Sequence, residues 1–279
     1  MSTSTVAGRS ALQPQDLVLT ILGIHLREPR ATIWSGGAVA LLGELGFSTE
    51  AARAALARLA TRGLLERHKD GRLVFYALTT RAEELLSDGD RRIYSFGRTA
   101  PTSDVWTVVW HAMPESRRVA RSRLASRLRF LGFGSVQDGT WVAARDREPE
   151  ARAVLRDLEV EEFASVFVGR LSRDLSPATL IGQGWDTDAV RAQYEAFIAD
   201  YRRFRVARER ARLSPQQAFA IRTVMFHRFR EFPATDPELP REVDPVRELR
   251  DEAVAVFDDL HEGLAAAADD HFHGLAQRG

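Results

Sequence analysis

Apolar side chains recur at helical spacing from the start of the chain. Leu17, Val18, Ile21, Leu22 and Leu26 mark one stripe across Gln13 to Leu26, and Val39, Leu41, Leu42 and Leu45 mark another between Trp34 and Gly46. The spacing predicts two amphipathic helices. Gly46-Phe47 breaks the second, Ser48 offers an N-cap oxygen, and a third helix is expected from Thr49 to about Arg62, with Gly63 placed to end it. The period then changes. Leu64 to Arg67 and Leu73 to Leu78 read as strands around Lys69-Asp70-Gly71-Arg72, where Asp-Gly favours a hairpin turn. Thr80-Arg81-Ala82-Glu83 has capping-box spacing and predicts a short helix through Leu86, after which Ser87 to Ser103 reads as a linker.

The middle third alternates between the two periods. Val105 to Trp110 is strand-like, Ser116 to Leu131 helical, Gly134-Ser135-Val136 and Thr140 to Ala143 a hairpin around Asp138-Gly139, Glu148 to Leu158 helical, and Ser165 to Leu171 a last strand. This β-α-β-β-α-β order is that of a ferredoxin-like unit, an antiparallel sheet with helices on one face. The final third is helical, with Val190, Tyr194, Phe197, Ile198 and Tyr201 in phase, a capping box at Ser214-Pro215-Gln216-Gln217 and an alanine-rich run from Val246 to His271. The fold class expected is α+β: a winged helix-turn-helix over 12–97, a central ferredoxin-like domain over 98–180 and a helical domain over 181–279.

Composition narrows the function classes. With 279 residues, 44% of them hydrophobic, the chain can bury more than one core. It has no cysteine, which excludes disulfides, thiolate nucleophiles and cysteine-based metal sites. No apolar run approaches the roughly twenty residues of a membrane helix, and Met1 to Gly8 lacks the charge pattern of an export signal, so a cytoplasmic location without membrane contact is expected. The formal net charge is zero. Its distribution is uneven: Arg53, Arg58, Arg62, Arg67, Lys69 and Arg72 face only Glu66 and Asp70, whereas Glu231 to Gly279 holds thirteen acids and four arginines.

The basic segment coincides with the third helix and the hairpin. If Ala52, Ala55, Leu56 and Leu59 pack inward, then Thr49, Glu50, Arg53, Ala54, Ala57 and Arg58 face outward, and such a face suits the major groove of double-stranded DNA. Arginine reads guanine edges, and the alanines permit close approach. The hairpin would add phosphate contacts from Arg67, His68, Lys69 and Arg72. The alternative is a solvated charged face on an ordinary three-helix domain.

Several stretches resemble the phenylacetic acid degradation repressor family, the PaaX-like regulators. They are Ala51 to Leu59 followed by Gly63-Leu64-Leu65, Tyr76-Ala77-Leu78-Thr79, Arg91 to Gly97, Trp185-Asp186 with Tyr194, Phe197 and Tyr201, the Ser214-Pro215 helix start, Arg222 to His227, and Asp236-Pro237-Glu238-Leu239-Pro240. The resemblance spans about Leu12 to Phe272. It implies a three-part transcriptional repressor whose central domain is similar to the CRISPR spacer-acquisition endoribonucleases. It further implies a homodimer on operator DNA, and release by a small effector such as an aryl-coenzyme A thioester. Where the family pattern leads one to expect tryptophan after Asp236 to Pro240, this chain has Val243-Asp244-Pro245-Val246.

Other chemistry is sparse. Ser116 to Phe130 carries Arg117, Arg118, Arg121, Arg123, Arg127 and Arg129 without an acid, which suits either a solvated face or a docking surface for DNA, the acidic C-terminal helices or effector phosphates. Arg118, Arg121, Arg222 and His227 are the candidate effector contacts. A metal-dependent nuclease built on the central domain is the alternative function, although its first strand ends Trp110-His111-Ala112-Met113 without a carboxylate and Asp104 precedes it. His271 and His273 point apart on a helix, Gly182-Gln183-Gly184 lacks a dinucleotide-site context, and no catalytic residue, metal or cofactor is expected.

Overall fold

Short apolar stripes can be buried only against one another, and the N-terminal helices do so. The structure, a computed structural model, describes residues 12–26, 31–98, 105–241 and 243–277. The expected N-terminal tail, the end of the expected linker and Asp104 lie outside the described residues. Helices α1 (Pro14–His25), α2 (Ser35–Glu44) and α3 (Thr49–Thr61) fall where the spacing placed them. Ser48 caps α3 by accepting the Ala51 N–H at 3.2 Å. At the other end Gly63 takes φ 67°, with Leu64 N–H donating to Leu59 O at 2.9 Å and Gly63 N–H to Ala60 O at 3.0 Å, a Schellman ending.

A three-stranded antiparallel sheet comes next, in the order β1-β3-β2, from β1 (Thr32–Trp34), β2 (Leu65–Asp70) and β3 (Leu73–Leu78). The spacing did not predict β1, because three residues carry no period and its pairing with β3 is non-local. Asp70 pairs with Leu73, so the two central turn residues are Gly71-Arg72 rather than Asp70-Gly71. Gly71 alone has positive φ, as a turn with glycine in first place requires. Helix α4 (Thr80–Ser95) runs nine residues past Leu86, through most of the expected linker. A single Gly89 costs a helix only about 1 kcal/mol, and Ile93 and Phe96 are buried at 5% and 0% exposure. Its cap is Thr79, which accepts the Ala82 N–H at 3.2 Å, one residue before the expected box.

The middle third forms β4 (Val105–His111), α5 (Arg118–Phe130), β5 (Gly134–Gln137), β6 (Thr140–Ala143), α6 (Glu148–Asp157) and β7 (Ala164–Arg170). All neighbouring strands are antiparallel, in the order β5-β6-β4-β7. Val109, Trp141 and Val166 meet Leu124 and Leu128 of α5 and Val154 and Leu155 of α6 on one face. The opposite face is not bare, as a one-sided arrangement would leave it. Trp106 and Val142 are covered by Ile181 of α7 (Pro177–Gly184) and by Leu239. The remaining helices are α8 (Thr187–Tyr201), α9 (Ala207–Arg210), α10 (Pro215–Phe229), α11 (Phe232–Thr235), α12 (Arg247–Gly263) and α13 (Ala265–Ala276). Among the described residues no helix is long and apolar enough to cross a membrane.

The chain forms two compact units. One comprises Met1–Arg91, Phe197–Phe229 and Ala255–Gly279, the other Arg92–Ala196 and Arg230–Val254. In the first, Phe219 of α10 and Ala268, Phe272 and Ala276 of α13 complete the core of Leu17, Leu41, Ala55 and Leu59. Helices from the last third therefore share the core of the N-terminal helices. In the second unit, a strand-free segment carries buried acids. Asp236, fully buried, takes two hydrogen bonds from Arg250 at 2.7 Å each and one from the Tyr194 hydroxyl at 2.5 Å. Glu238 accepts from Arg92 and, at 3.0 Å, from the Gly97 N–H, while Arg145 donates to its backbone oxygen at 3.0 Å. These arginines hold the Glu238 carboxyl below the usual range despite its burial.

Helix α2 lies so close to α13 that a Cβ on Gly37 would meet Leu275 O at 2.0 Å, whereas one on Gly43 would meet nothing within 4 Å. Gly37→Ala is therefore expected to lower stability by about 1–3 kcal/mol through overpacking. Gly43→Ala, on the same helix, should raise it by about 0.5–1 kcal/mol. Urea denaturation of both variants measures the contrast, and equal effects would contradict the packing of α13 on α2.

Candidate nucleic-acid interface

Ala52, Ala55, Leu56 and Leu59 are buried to 2% exposure or less, and this leaves the opposite side of α3 in solvent. Thr49, Glu50, Arg53, Ala54, Ala57 and Arg58 are all exposed there. The six differ in freedom. Arg53 has no hydrogen-bond partner among the described residues, and its charge helps hold the Glu50 carboxyl low. Glu50 itself folds back onto its own backbone N–H and Ser48, the main causes of that lowering, so it serves the helix start. Arg58 donates through Nε to Gln15 Oε1 of α1 at 3.3 Å. Gln15 was not singled out in the sequence, since an exposed polar residue in a first helical turn carries no signal of its own.

The ribbon of β2 and β3 projects beyond the core, with every residue of β2 after Leu65 exposed. Its register sets Arg67 opposite Tyr76, His68 opposite Phe75 and Lys69 opposite Val74. Alternation therefore places Arg67 and Lys69 on one face, the one that also turns Tyr76 into the core shared with α3. His68 lies on the other face, 3.6 Å from Glu66, and Arg72 is in the turn. The four basic residues expected as one set are thus divided by the pleat. Arg81 is a basic neighbour that the sequence reading missed; it donates to Arg62 O at 3.4 Å, beside the end of α3.

Three sequence models of one protein family match the chain in order. They are described as PaaX-like protein at residues 13–82, PaaX protein central Cas2-like domain at 99–181, and PaaX-like protein C-terminal domain at 185–274. The chain belongs to the PaaX-like family. A curated relative, the transcriptional repressor PaaX of Escherichia coli (strain K12), is 27% identical over 260 residues, covering 90% of this chain and 80% of the relative. Among solved structures, the uncharacterized protein Rv0674 from Mycobacterium tuberculosis superposes with a TM-score of 0.57 at 22% identity, over 94% of this chain and 99% of that one. That likeness concerns the fold.

The candidate effector contacts of this PaaX-like chain divide between the two units. Arg222 is fully buried, donating to His261 O at 3.0 Å and to Asp269 at 3.3 Å. His227 is also buried, 3.1 Å from the Thr20 hydroxyl. Both are core groups of the first unit because α10 is enclosed on nearly every side. Arg118 and Arg121 belong to the second unit, where both approach Glu115, at 3.9 and 2.9 Å. Arg127 pairs with Asp157 at 2.9 Å, and the Arg117 and Arg129 guanidiniums lie over Phe163 and Trp141. A cavity of about 370 Å³ beside α5 is lined by Arg117 and Arg123 but also by Asp157 and Glu159, a balance that does not favour phosphate.

The end of β4 presents His111, not a carboxylate, and among the described residues no group of three His, Asp or Glu is placed to hold a metal ion. The nuclease reading therefore has no support. His271 is bonded to Glu44 at 2.8 Å while Phe272, next to it, fills the core.

His25 sits beneath the shared core, stacked on Phe272 at 4.8 Å between ring centres and bonded to Asp269 at 2.5 Å. Burial pushes its pKa down to about 4; the Asp269 hydrogen bond opposes this, and the nearby charges of Arg222 and His273 add to it. The unfolded chain takes up this proton near pH 6.5, the folded one only near 4. The stability contributed by the neutral ring is complete above pH 6.5 and is lost as the pH falls toward 4. Thermal melting should thus drop between pH 7.5 and 5, and His25→Phe should flatten that dependence relative to the parent. An unchanged slope in the variant would show that the ring is charged in the folded state.

Proposed function

We propose that this chain is a ligand-responsive transcriptional repressor that binds double-stranded operator DNA as a homodimer. The observation that carries the reading is the exposed side of α3, where Arg53 has no hydrogen-bond partner among the described residues and stands between small residues on a helix whose other side is sealed. Helices α1 to α3 with the β1-β3-β2 sheet support a winged helix-turn-helix in which α3 enters the major groove. Arg53 is the principal base reader, and Arg58, tethered to Gln15, the second. Arg67, Lys69 and Arg72 meet phosphates from the ribbon. The curated relative's name, a transcriptional repressor, agrees with this assignment.

The strand order β5-β6-β4-β7 with α5 and α6 on one face supports a ferredoxin-like central part, so that segments 12–97, 98–180 and 181–279 serve DNA binding, relay and effector response. The effector expected from the family resemblance is an aryl-coenzyme A thioester. It releases DNA by preferring a spacing of the two recognition helices that the operator does not match, a shift that requires different affinity for the two states. The protein acts in the cytoplasm, where its operator is.

Arg53→Ala should weaken operator binding by about 1–3 kcal/mol and relax base preference at one position of each half-site. Lys69→Ala should weaken operator and random duplex alike and lower the salt slope by about one. Fluorescence anisotropy across a salt series measures both. Parent-like binding by Arg53→Ala on both duplexes would remove α3 from the interface.

A further inference from the structure

We propose that Arg92, Arg145 and Arg147 form a binding site for a phosphoryl group, and that the Glu238 carboxylate occupies it as an internal stand-in that the ligand displaces. This deepens the preceding reading by giving its effector a place to bind, and rests on that reading only for the response of DNA. All four residues belong to the second unit. Arg92 lies in the last turn of α4, Arg145 and Arg147 follow β6, and Glu238 sits in the strand-free segment between α11 and α12.

The occupant does not satisfy its cage. Glu238 Oε2 accepts a hydrogen bond from Arg92, but the nearest nitrogens of Arg145 and Arg147 stop at 3.7 and 3.9 Å, too far for one. The Nε atoms of all three arginines are buried and meet no acceptor among the described residues. Buried donors are as a rule paired, and three charged ones together favour an anionic acceptor. Burial lowers the pKa of Arg145, and Arg147, Arg92 and Arg250 lower it further against the one opposing charge of Glu238. Arg250 is matched by Asp236 and Asp244, and Arg147 gives one nitrogen to Glu150 at 2.9 Å. Among the described residues Arg92 and Arg145 have only Glu238 as an acidic partner.

A phosphoryl group fits better than the carboxylate. It brings up to two charges and three terminal oxygens, one for each guanidinium, and the planar fork of arginine matches it. The backbone favours the exchange. Glu238 has φ 50°, in the left-handed region that a residue with a side chain avoids. It is held there by the Arg92 bond, by the Gly97 N–H at 3.0 Å and by Arg145, which donates to its backbone oxygen at 3.0 Å. Release of the carboxylate removes the first two. The Arg145 and Arg147 side chains keep 15% exposure against 3% for Glu238, so a ligand reaches the arginines first and the carboxylate behind them. The groups set free, Arg92 and the Gly97 N–H, lie at the end of α4.

Titration calorimetry of the full chain with inorganic phosphate, glycerol phosphate and acetate, at constant ionic strength, measures the site. The parent should bind phosphate saturably and acetate far more weakly. Glu238→Gln keeps the shape of the side chain and removes its charge, so phosphate should bind about tenfold tighter once the internal competitor is weakened. Adding Arg147→Gln should abolish that gain while the circular dichroism stays that of the parent. In the parent itself, phosphate should speed amide hydrogen exchange at Gly97, whose acceptor is displaced. Glycerol phosphate binding tighter than inorganic phosphate assigns the site to a phosphate ester; otherwise its ligand is free phosphate. A parent that binds no phosphate overturns the proposal, as do acetate binding as tight as phosphate, equal affinity in the parent and Glu238→Gln, or a Gly97 amide that ignores phosphate. These readouts use no DNA. Phosphate binding by a chain that binds no duplex refutes the repressor reading alone, and operator binding by a chain that ignores phosphate refutes this site alone.

Discussion

The candidate interface depends on the burial of one narrow face of α3. Two alanines and two leucines are a small payload, each buried aliphatic side chain contributing about 1.5–3 kcal/mol at most. That face holds its position because α1 and α2 are themselves held, and Phe219 of α10 and Phe272 of α13 fill the space that three short helices leave open. Gly37 permits the close approach this needs. The side of α3 turned to solvent is thus aimed by residues more than 150 positions away in the chain.

Buried charge serves the same end in both units. Arg222 sits in the middle of α10 with Asp269 and the His261 carbonyl, and Asp236 with Arg250 and Tyr194 anchors a segment without strands. Removing one member of such a pair costs more than the pair contributes, because the remaining charge is left in a poorly solvating interior. Arg222 and His227, which read as ligand contacts in the sequence, are, in this chain, fixed points of its architecture. The exposed guanidiniums of α5 are mostly held by local acids and rings, which leaves Arg53 as the better candidate for contact with a foreign molecule.

Much of the fold is legible in the sequence. The limits of α1 to α3, the Ser48 cap, the Gly63 ending and the strand–helix order of the middle third are local, set within a turn or two of backbone. The outward face of α3 comes from the same arithmetic. Local signals mislead where they are ambiguous: Gly89 reads as a break inside what is one helix, and Thr80 reads as the capping hydroxyl that Thr79 supplies. The hairpin turn falls one residue later than Asp70-Gly71 suggests, because Asp-Gly and Gly-Arg are both acceptable turn pairs and only strand register decides between them.

The sequence by itself determined the place of α1 to α3, the strand and helix order of the middle third, and which side of α3 is polar, because periodicity and capping act over a few residues. Only the tertiary structure decided that β1 joins β3, that the pleat divides Arg67 and Lys69 from His68, that Gln15 restrains Arg58, and that Arg222 and His227 are interior. The burial of an arginine or histidine on a helix enclosed from all sides depends on what distant elements bring to it. That is a property of packing, which no local pattern of residues records.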